Sequence, residues 1–186
     1  MTRVIAGTAR GRRLAVADGT TTRPTSDRAR EGLFSSLLSL LDLEDARVLD
    51  LYAGSGALGL EALSRGAASA TLVESDPGAV AVLRENVAHL GLPGAHVLAV
   101  RVEAFLAVDP EPRYDVALLD PPYEHDVVPA LELLVPWLAD DAVVAVERRT
   151  RGPALAWPAA YEPVRERRYG EATLWYARGP LLASPA

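Results

Sequence analysis

Short apolar runs alternate with amphipathic segments along most of this chain. Apolar runs rich in Val, Leu and Ala predict strands at residues 47–51, 70–74, 95–100, 114–119 and 142–147. The segments between them, where apolar residues recur at helical spacing, predict helices at residues 57–65, 77–90, 103–108 and 127–138. Strands that alternate with helices indicate an α/β fold with a doubly wound, mostly parallel sheet.

The N-terminal residues 1–42 precede this alternation and have a different pattern. Residues 3–6 and 12–16 predict two short strands around a basic turn at 7–11. Residues 20–25 form a polar connector, and Thr25 or Ser26 can cap a helix that runs to about residue 41. We therefore expect an N-terminal extension made of a basic hairpin and a helix.

The C-terminal segments predict an antiparallel hairpin. Residues 162–169 and 172–177 are its two strands, and the chain turns at Gly170 and Glu171. We expect this hairpin to add an antiparallel edge to the sheet, so that the main domain spans residues 43–178. Residues 179–186 are expected to be a frayed tail.

The composition suits one compact domain. The chain has 186 residues, of which 49% are hydrophobic, and it contains no cysteine. A run of 18 apolar residues and an export signal are both absent, so we expect a cytoplasmic protein without a membrane span. His89, His96 and His125 are scattered and are predicted to be surface or loop residues, so no metal site is expected.

The net charge of −6 argues at first against a nucleic-acid partner, but the charges are unevenly distributed. Residues 1–30 carry seven arginines and two acids, and residues 147–178 carry seven arginines and four acids. Residues 31–146 carry five arginines and nineteen acids. An acidic body with basic ends indicates RNA contacts at the ends. The candidate phosphate contacts are Arg10, Arg12, Arg13, Arg23, Arg148, Arg149, Arg167 and Arg168.

A glycine-rich turn follows the strand at 47–51. Gly54, Gly56 and Gly59 match the G-x-G-x-x-G pattern, and Glu74 ends the next strand, where an acid can bind ribose hydroxyls. The pattern fits a nicotinamide dinucleotide or S-adenosylmethionine. Asp50 favours the second, because a carboxylate there would repel a pyrophosphate but could hold a methionine ammonium. The candidate cofactor contacts are Asp50, Tyr52, Gly54, Ser55, Gly56, Glu74, Ser75, Glu103, Ala104 and Asp120.

Asp120, Pro121, Pro122 and Tyr123 follow the apolar run at 114–119 and are the candidate catalytic residues. The two prolines lack backbone N–H groups, so this loop is rich in hydrogen-bond acceptors. A carboxylate, outward carbonyls and an aromatic ring could together hold a planar group that bears an NH2. A plain strand-to-helix turn would also favour Pro and Asp.

These motifs together resemble a known family. Asp50-x-x-Ala-Gly-Ser-Gly-x-x-Gly, Glu74 and Asp120-Pro-Pro-Tyr, in this order, resemble class I S-adenosylmethionine-dependent methyltransferases that act on amino groups. Over residues 3–178 the chain resembles the bacterial small-subunit rRNA guanine-N2-methyltransferase (RsmD) family. The motifs that carry this are Ile5-Ala-Gly-x-x-Arg-Gly-Arg-x-Leu14, Arg23-Pro-Thr-x-Asp-Arg-x-Arg-Glu31, the stretch from Gly56 to Ala67 and Tyr169-Gly-Glu-Ala-Thr-Leu.

The resemblance implies a Rossmann-like sheet of seven strands with the last one reversed. It also implies methyl transfer from S-adenosylmethionine to the exocyclic N2 amine of guanine 966 of 16S rRNA. The partner would be free 16S rRNA or the assembling small subunit, and we expect a monomer without a metal. Glu74 would bind the ribose and Glu103 the adenine. Arg28 and Arg30 could pack near the cofactor mouth.

Three alternatives remain open at this stage. An adenine-N6 methyltransferase would use a similar tetrapeptide, because it also acts on an exocyclic amine, but it normally needs an additional recognition region. An NAD-dependent dehydrogenase would explain the glycines and leave Asp120 to Tyr123 unexplained. A non-catalytic RNA-binding module would need only the basic ends of the chain.

Overall fold

A seven-stranded sheet forms the middle of the computed structural model, which describes residues 2–17, 27–110 and 113–180. The strands are β1 (Thr2–Arg3), β2 (Arg13–Leu14), β3 (Arg47–Leu51), β4 (Ser69–Glu74), β5 (Ala95–Ala99), β6 (Tyr114–Leu119), β7 (Leu138–Arg149), β8 (Glu162–Tyr169) and β9 (Ala172–Gly179). The helices are α1 (Asp27–Leu38), α2 (Ala57–Ser64), α3 (Pro77–Leu90), α4 (Val102–Leu106) and α5 (Val128–Leu134). None of these helices is long and apolar enough to cross a membrane.

The large sheet has the order β5-β4-β3-β6-β7-β9-β8, and only β9 runs against the other six strands. The predicted mostly parallel, seven-stranded α/β sheet is therefore confirmed. The expected antiparallel edge is confirmed as well: the hairpin of β8 and β9 lies at one side of the sheet, with β9 between β7 and β8 and with β8 as the edge strand. Burial explains this order. β9 is largely buried, whereas the polar strand β8 is mostly exposed and suits an edge.

Two hydrophobic cores cover the two faces of the sheet. Successive strand residues belong to different cores, as with Leu72 and Val73, because side chains alternate along a strand. Helices α1, α2 and α3 pack in the first core, and α4 and α5 pack in the second. The carboxyl ends of β3, β4 and β6 lie side by side at one edge of this three-layer structure.

The N-terminal segment is part of the first core. β1 and β2 form a small antiparallel sheet that is shorter than predicted. Val4, Leu14 and Phe34 are buried in the same core as the central strands. The predicted connector at 20–25, the capping residues Thr25 and Ser26, and Arg23 lie outside the described residues. A division of the chain at residue 42 stays a prediction, although the core runs across that position.

Several element ends differ from the prediction, among them the ends of β7, which runs from Leu138 to Arg149 rather than over residues 142–147. Helix α1 ends at Leu38 rather than near residue 41. Helix α5 ends at Leu134 and gives way to a 3-10 turn at Val135–Trp137, because Pro136 has no N–H to continue the helix. Strand β9 includes Gly179 and is held by Arg178, whose Nη1 donates to Asp141 Oδ2 at 2.7 Å. The strand therefore includes the first residue of the predicted tail, and residues 181–186 of that tail lie outside the described residues.

Candidate active site

The turn after β3 has an unusual backbone. Tyr52, Gly54 and Gly56 all have positive φ angles, of 61°, 55° and 81°. A Cβ on Gly56 would lie 2.4 Å from Leu83 Cδ1, so this glycine is required by packing, whereas a Cβ on Gly54 would meet no described atom within 4 Å. Gly54 thus leaves space above the turn, where a ligand can approach the backbone.

Asp50 is buried under this turn, with 1% of its surface exposed. Its Oδ2 accepts a hydrogen bond from Gly59 N at 2.8 Å. Its Oδ1 has no hydrogen-bond partner among the described residues. The pKa of Asp50 is raised to about 7, mainly by burial and in addition by the nearby charges of Asp120 and Glu74, while the hydrogen bond from Gly59 N opposes the rise.

Glu74 links the end of β4 to the glycine turn. Its Oε2 accepts from Gly54 N at 2.9 Å, and its Oε1 accepts from the backbone nitrogens of Ser75 and Asp76 at 2.7 and 2.8 Å. The carboxylate is therefore fixed in orientation before any ligand arrives. Each carboxylate oxygen can accept about two hydrogen bonds, so Oε2 retains acceptor capacity.

The acceptor loop, residues 120–125, begins where β6 ends beside β3. The two strands pair in register, with Leu51 opposite Leu119, and Asp120 N lies 3.5 Å from Leu51 O. Pro122 is exposed and its carbonyl accepts from His125 N at 2.8 Å. The loop is thus a tight turn that presents Asp120 towards the glycine turn.

Tyr123 in this loop is half-buried and carries a cation on one ring face. The guanidinium carbon of Arg149 lies 4.6 Å from the ring centroid. Burial raises the pKa of the Tyr123 phenol, and the negative charges of Glu147 and Asp120 act in the same direction. The phenol therefore stays protonated at neutral pH.

One cavity of about 450 Å³ joins these groups at the carboxyl ends of the strands. Among the predicted cofactor contacts, its lining includes Asp50, Tyr52, Gly54, Ser55, Glu74, Ser75, Glu103 and Asp120. Gly56 and Ala104 are not among the lining residues in the described part of the chain, and neither are Pro121 and Tyr123 of the predicted catalytic set.

His125 lies in this cavity wall, which the sequence did not indicate. Its Nε2 lies 3.1 Å from Tyr52 Oη and 3.4 Å from Glu103 Oε1. Arg101 Nε lies 3.7 Å from the other oxygen of Glu103. The Glu103 carboxylate is thus engaged by two side chains, so its expected adenine contact competes with this cluster. Scattered histidines carry no spacing signal that could have revealed the contact.

The N-terminal segment supplies another wall of the cavity. Thr2, Val16, Ala17 and Arg30 all line it. Of the two arginines expected near the cofactor mouth, Arg30 lines the cavity and is fully buried, whereas Arg28 is exposed. The helix α1 and the small sheet therefore shape the site as well as the core.

The candidate RNA-binding arginines differ in their surroundings. Arg10 and Arg13 are exposed. Arg12 donates to the carbonyl oxygens of His89 and Leu90, at the end of α3, so its guanidinium serves a structural role. The remaining described candidates are Arg148, which is half-buried, Arg149 on Tyr123, Arg167, and Arg168, whose Nε pairs with Glu166 Oε1 at 3.0 Å.

Comparison with known proteins gives consistent matches. The family model described as Conserved hypothetical protein 95 matches residues 2–178. Ribosomal RNA small subunit methyltransferase D of Escherichia coli K12 is 41% identical over 172 residues, covering 91% of this chain and 85% of that protein. The protein of the same name from Haemophilus influenzae is 34% identical over 159 residues, covering 82% of this chain and 81% of that protein.

A solved structure agrees with these sequence matches. The Escherichia coli protein yhhF is 39% identical and superimposes with a TM-score of 0.84, covering 95% of this chain and 97% of that one. The region that the family model matches, residues 2–178, includes the small N-terminal sheet, nearly all of the seven-stranded sheet and both candidate loops. This chain therefore belongs to the ribosomal RNA small subunit methyltransferase D family, a family of methyltransferases with a Rossmann-like α/β fold.

Proposed function

We propose that this protein transfers a methyl group from S-adenosylmethionine to the exocyclic N2 amine of a guanine in 16S rRNA. The observation that carries the proposal is the adjacency of two strand ends. β3 leads into the glycine turn and its parallel neighbour β6 leads into the acceptor loop, so that Asp50 and Asp120 line one cavity. Ligands of open α/β sheets bind at this edge.

The cofactor half of the cavity fits S-adenosylmethionine. When bound, this group supplies a methyl on a sulfonium, a good leaving group. Asp50 Oδ1 is a buried acceptor without a partner among the described residues. The methionine ammonium is a hydrogen-bond donor of opposite charge. Glu74 would accept from the ribose hydroxyls through the remaining capacity of its Oε2. Gly54 leaves room for the ligand beside the backbone.

The acceptor half would orient the amine. Asp120 and the carbonyl of Pro121, which is not itself a lining residue but stands between the lining residues Asp120 and Pro122, are proposed to accept the two amine hydrogens. The nitrogen lone pair would then point at the methyl group. Alignment of this kind contributes on the order of 7–11 kcal/mol in well-oriented systems. A base that stacks on the ring face of Tyr123 that Arg149 covers would displace its guanidinium, and Arg149 could then contact a phosphate.

The RNA half of the proposal rests on the basic ends and on the names of the relatives. A guanine must leave its stack to enter the cavity, at a cost of a few kcal/mol that is smallest for a loop base. Phosphate contacts by exposed arginines make binding salt-dependent. We expect the affinity for small-subunit RNA to fall at least tenfold between about 50 and 200 mM salt.

The test is methylation with labelled S-adenosylmethionine of a mixture of unmodified 16S rRNA, small subunits and DNA. Digestion of the labelled product to nucleosides should give N2-methylguanosine. N6-methyladenosine would support the adenine alternative, and label on DNA alone would refute the RNA assignment. Mapping the labelled nucleotide would show whether it is guanine 966.

Two variants separate an enzyme from a binding module. Asp120→Ala should reduce the methylation rate at least a hundredfold while S-adenosylhomocysteine still binds, because Asp120 orients the acceptor. Glu124→Ala, an exposed acid in the same loop, is the matched control and should retain the wild-type rate. Equal rates for the two variants would contradict the role of Asp120.

A further inference from the structure

Arg30 is a fully buried arginine whose hydrogen bonds account for only one of its three nitrogens. Nη2 donates to Arg3 O at 2.7 Å and to Asp27 Oδ1 at 2.8 Å. Nε and Nη1 are buried and have no hydrogen-bond partner among the described residues. Since guanidinium is always charged and carries five N–H donors, three donors are left without an acceptor.

Such an arrangement calls for an explanation. Leaving a buried charged donor unsatisfied is costly, and buried polar atoms in folded proteins almost always have partners. Joining α1 to β1 through Nη2 would explain why an arginine stands here, but not why Nε and Nη1 lack acceptors. Because Arg30 lines the cavity, a ligand in the cavity can supply the acceptor.

Asp50 also has a buried polar atom without a partner among the described residues, and this atom is an acceptor where those of Arg30 are donors. Its Oδ1 is a buried acceptor without a donor, and it lines the same cavity. The two residues form no ion pair with each other in the described structure. At separate places the cavity therefore has cationic donors, Nε and Nη1 of Arg30, and a carboxyl oxygen, Oδ1 of Asp50, that lack partners among the described residues. This arrangement matches a zwitterion with a carboxylate and an ammonium.

We propose that Arg30 binds the α-carboxylate of the methionine part of the cofactor, while Asp50 attracts the neighbouring ammonium. This inference rests on the proposed use of S-adenosylmethionine. It gives the N-terminal segment a role in the cofactor site, because Arg30 is oriented by Arg3 of β1 and Asp27 of α1. The segment is then needed to bind the cofactor as well as RNA.

The experiment compares two ligands that differ only in this carboxylate. S-adenosylhomocysteine and its decarboxylated analogue, which keeps the adenosine and the amine, are titrated calorimetrically into wild-type protein, Arg30→Met and Arg30→Lys. In the wild type, loss of the carboxylate should weaken binding roughly 10- to 100-fold, the range of a hydrogen-bonded charge pair. In Arg30→Met the two ligands should bind within about twofold of each other, and Arg30→Lys should lie between.

The comparison within each variant separates binding from folding. A purely structural Arg30 would weaken both ligands equally in Arg30→Met, and that result would overturn the assignment. If Arg30→Met did not fold, the affinities of the wild type and of Arg30→Lys for the two ligands would test the assignment. Equal affinities of the wild type for both ligands would refute the binding of the carboxylate by Arg30. Arg84→Met, an exposed arginine on α3, is the control and should keep the wild-type ratio. A wild-type protein that bound neither ligand would refute the proposed function itself.

Discussion

Replacing Asp50 by Asn should make the ligand-free protein more stable at neutral and alkaline pH. The pKa of Asp50 is raised from 3.8 to about 7, so the folded protein binds a proton that the unfolded chain releases. Stability from this group is full below about pH 4 and is lost as the pH rises to about 7. The difference corresponds to about 4 kcal/mol, at roughly 1.4 kcal/mol per pH unit.

Urea unfolding of both proteins between pH 4 and 8 measures this contribution. The free energy of unfolding of the wild type minus that of Asp50→Asn should fall by roughly 3–4 kcal/mol across this range. Any difference in packing of the Asn amide is independent of pH and leaves this fall unchanged. Other titrating groups, such as Asp27, are common to both proteins and cancel in the difference. Asn keeps an oxygen that can accept from Gly59 N, so the turn should be retained.

The affinity for the cofactor should rise with pH, whereas the stability contributed by Asp50 falls with pH. The affinity of the wild type for S-adenosylhomocysteine should rise as the pH increases towards 7, because the ammonium binds the ionised carboxylate. Asp50→Asn should bind at least tenfold more weakly at pH 8 and without this pH dependence. A parallel pH dependence of stability in the two proteins would refute the reasoning, because it would mean that Asp50 ionises in the folded protein as readily as in the unfolded chain.

Three further substitutions test the surroundings of the cavity. Gly56→Ala should lower the free energy of unfolding by about 2–4 kcal/mol, measured in urea, because its φ is +81° and its Cβ would clash with Leu83. His125→Ala should reduce kcat/KM for RNA about tenfold in steady-state assays, since it frees the acceptor loop from Tyr52, while S-adenosylhomocysteine affinity changes less than threefold. Arg12→Ala should lower the melting temperature by a few degrees without changing the salt dependence of RNA binding.

The parallel core of the fold was predictable because its strands are apolar on both faces and alternate with helices. The C-terminal hairpin was predicted at an antiparallel edge of the sheet, but the order of its two strands was not predicted, although the sequence carries a signal for it. Residues 162–169 are rich in charge and residues 172–177 are not, and a charged strand belongs at an edge. Pairing partners depend on such burial differences between strands, which a turn motif such as Gly170 does not encode.

The site residues at strand ends were predictable for the same reason as the sheet. Asp50, Glu74 and Asp120 each follow a buried run, and parallel strands bring their carboxyl ends to one edge. The place of His125 in the site was not predictable, because its contact with Tyr52 depends on how the acceptor loop folds back after Pro122. Loop geometry of this kind leaves no periodic pattern in a single sequence.

Arg30 was less predictable than the residues at the strand ends and more predictable than His125. It stands three and four residues before Leu33 and Phe34, so it shares the buried face of α1 with the apolar residues that define the helix. A charge on the apolar stripe of an amphipathic helix is a signal that helical periodicity can reveal, because such a residue must be paired or must serve a ligand. Here Asp27 and Arg3 pair only one nitrogen of Arg30, and Oδ1 of Asp50 in the same cavity has no partner among the described residues. Buried donors of Arg30 and a buried acceptor of Asp50 that lack partners lower the stability of the ligand-free protein, and a zwitterionic ligand would satisfy both at once.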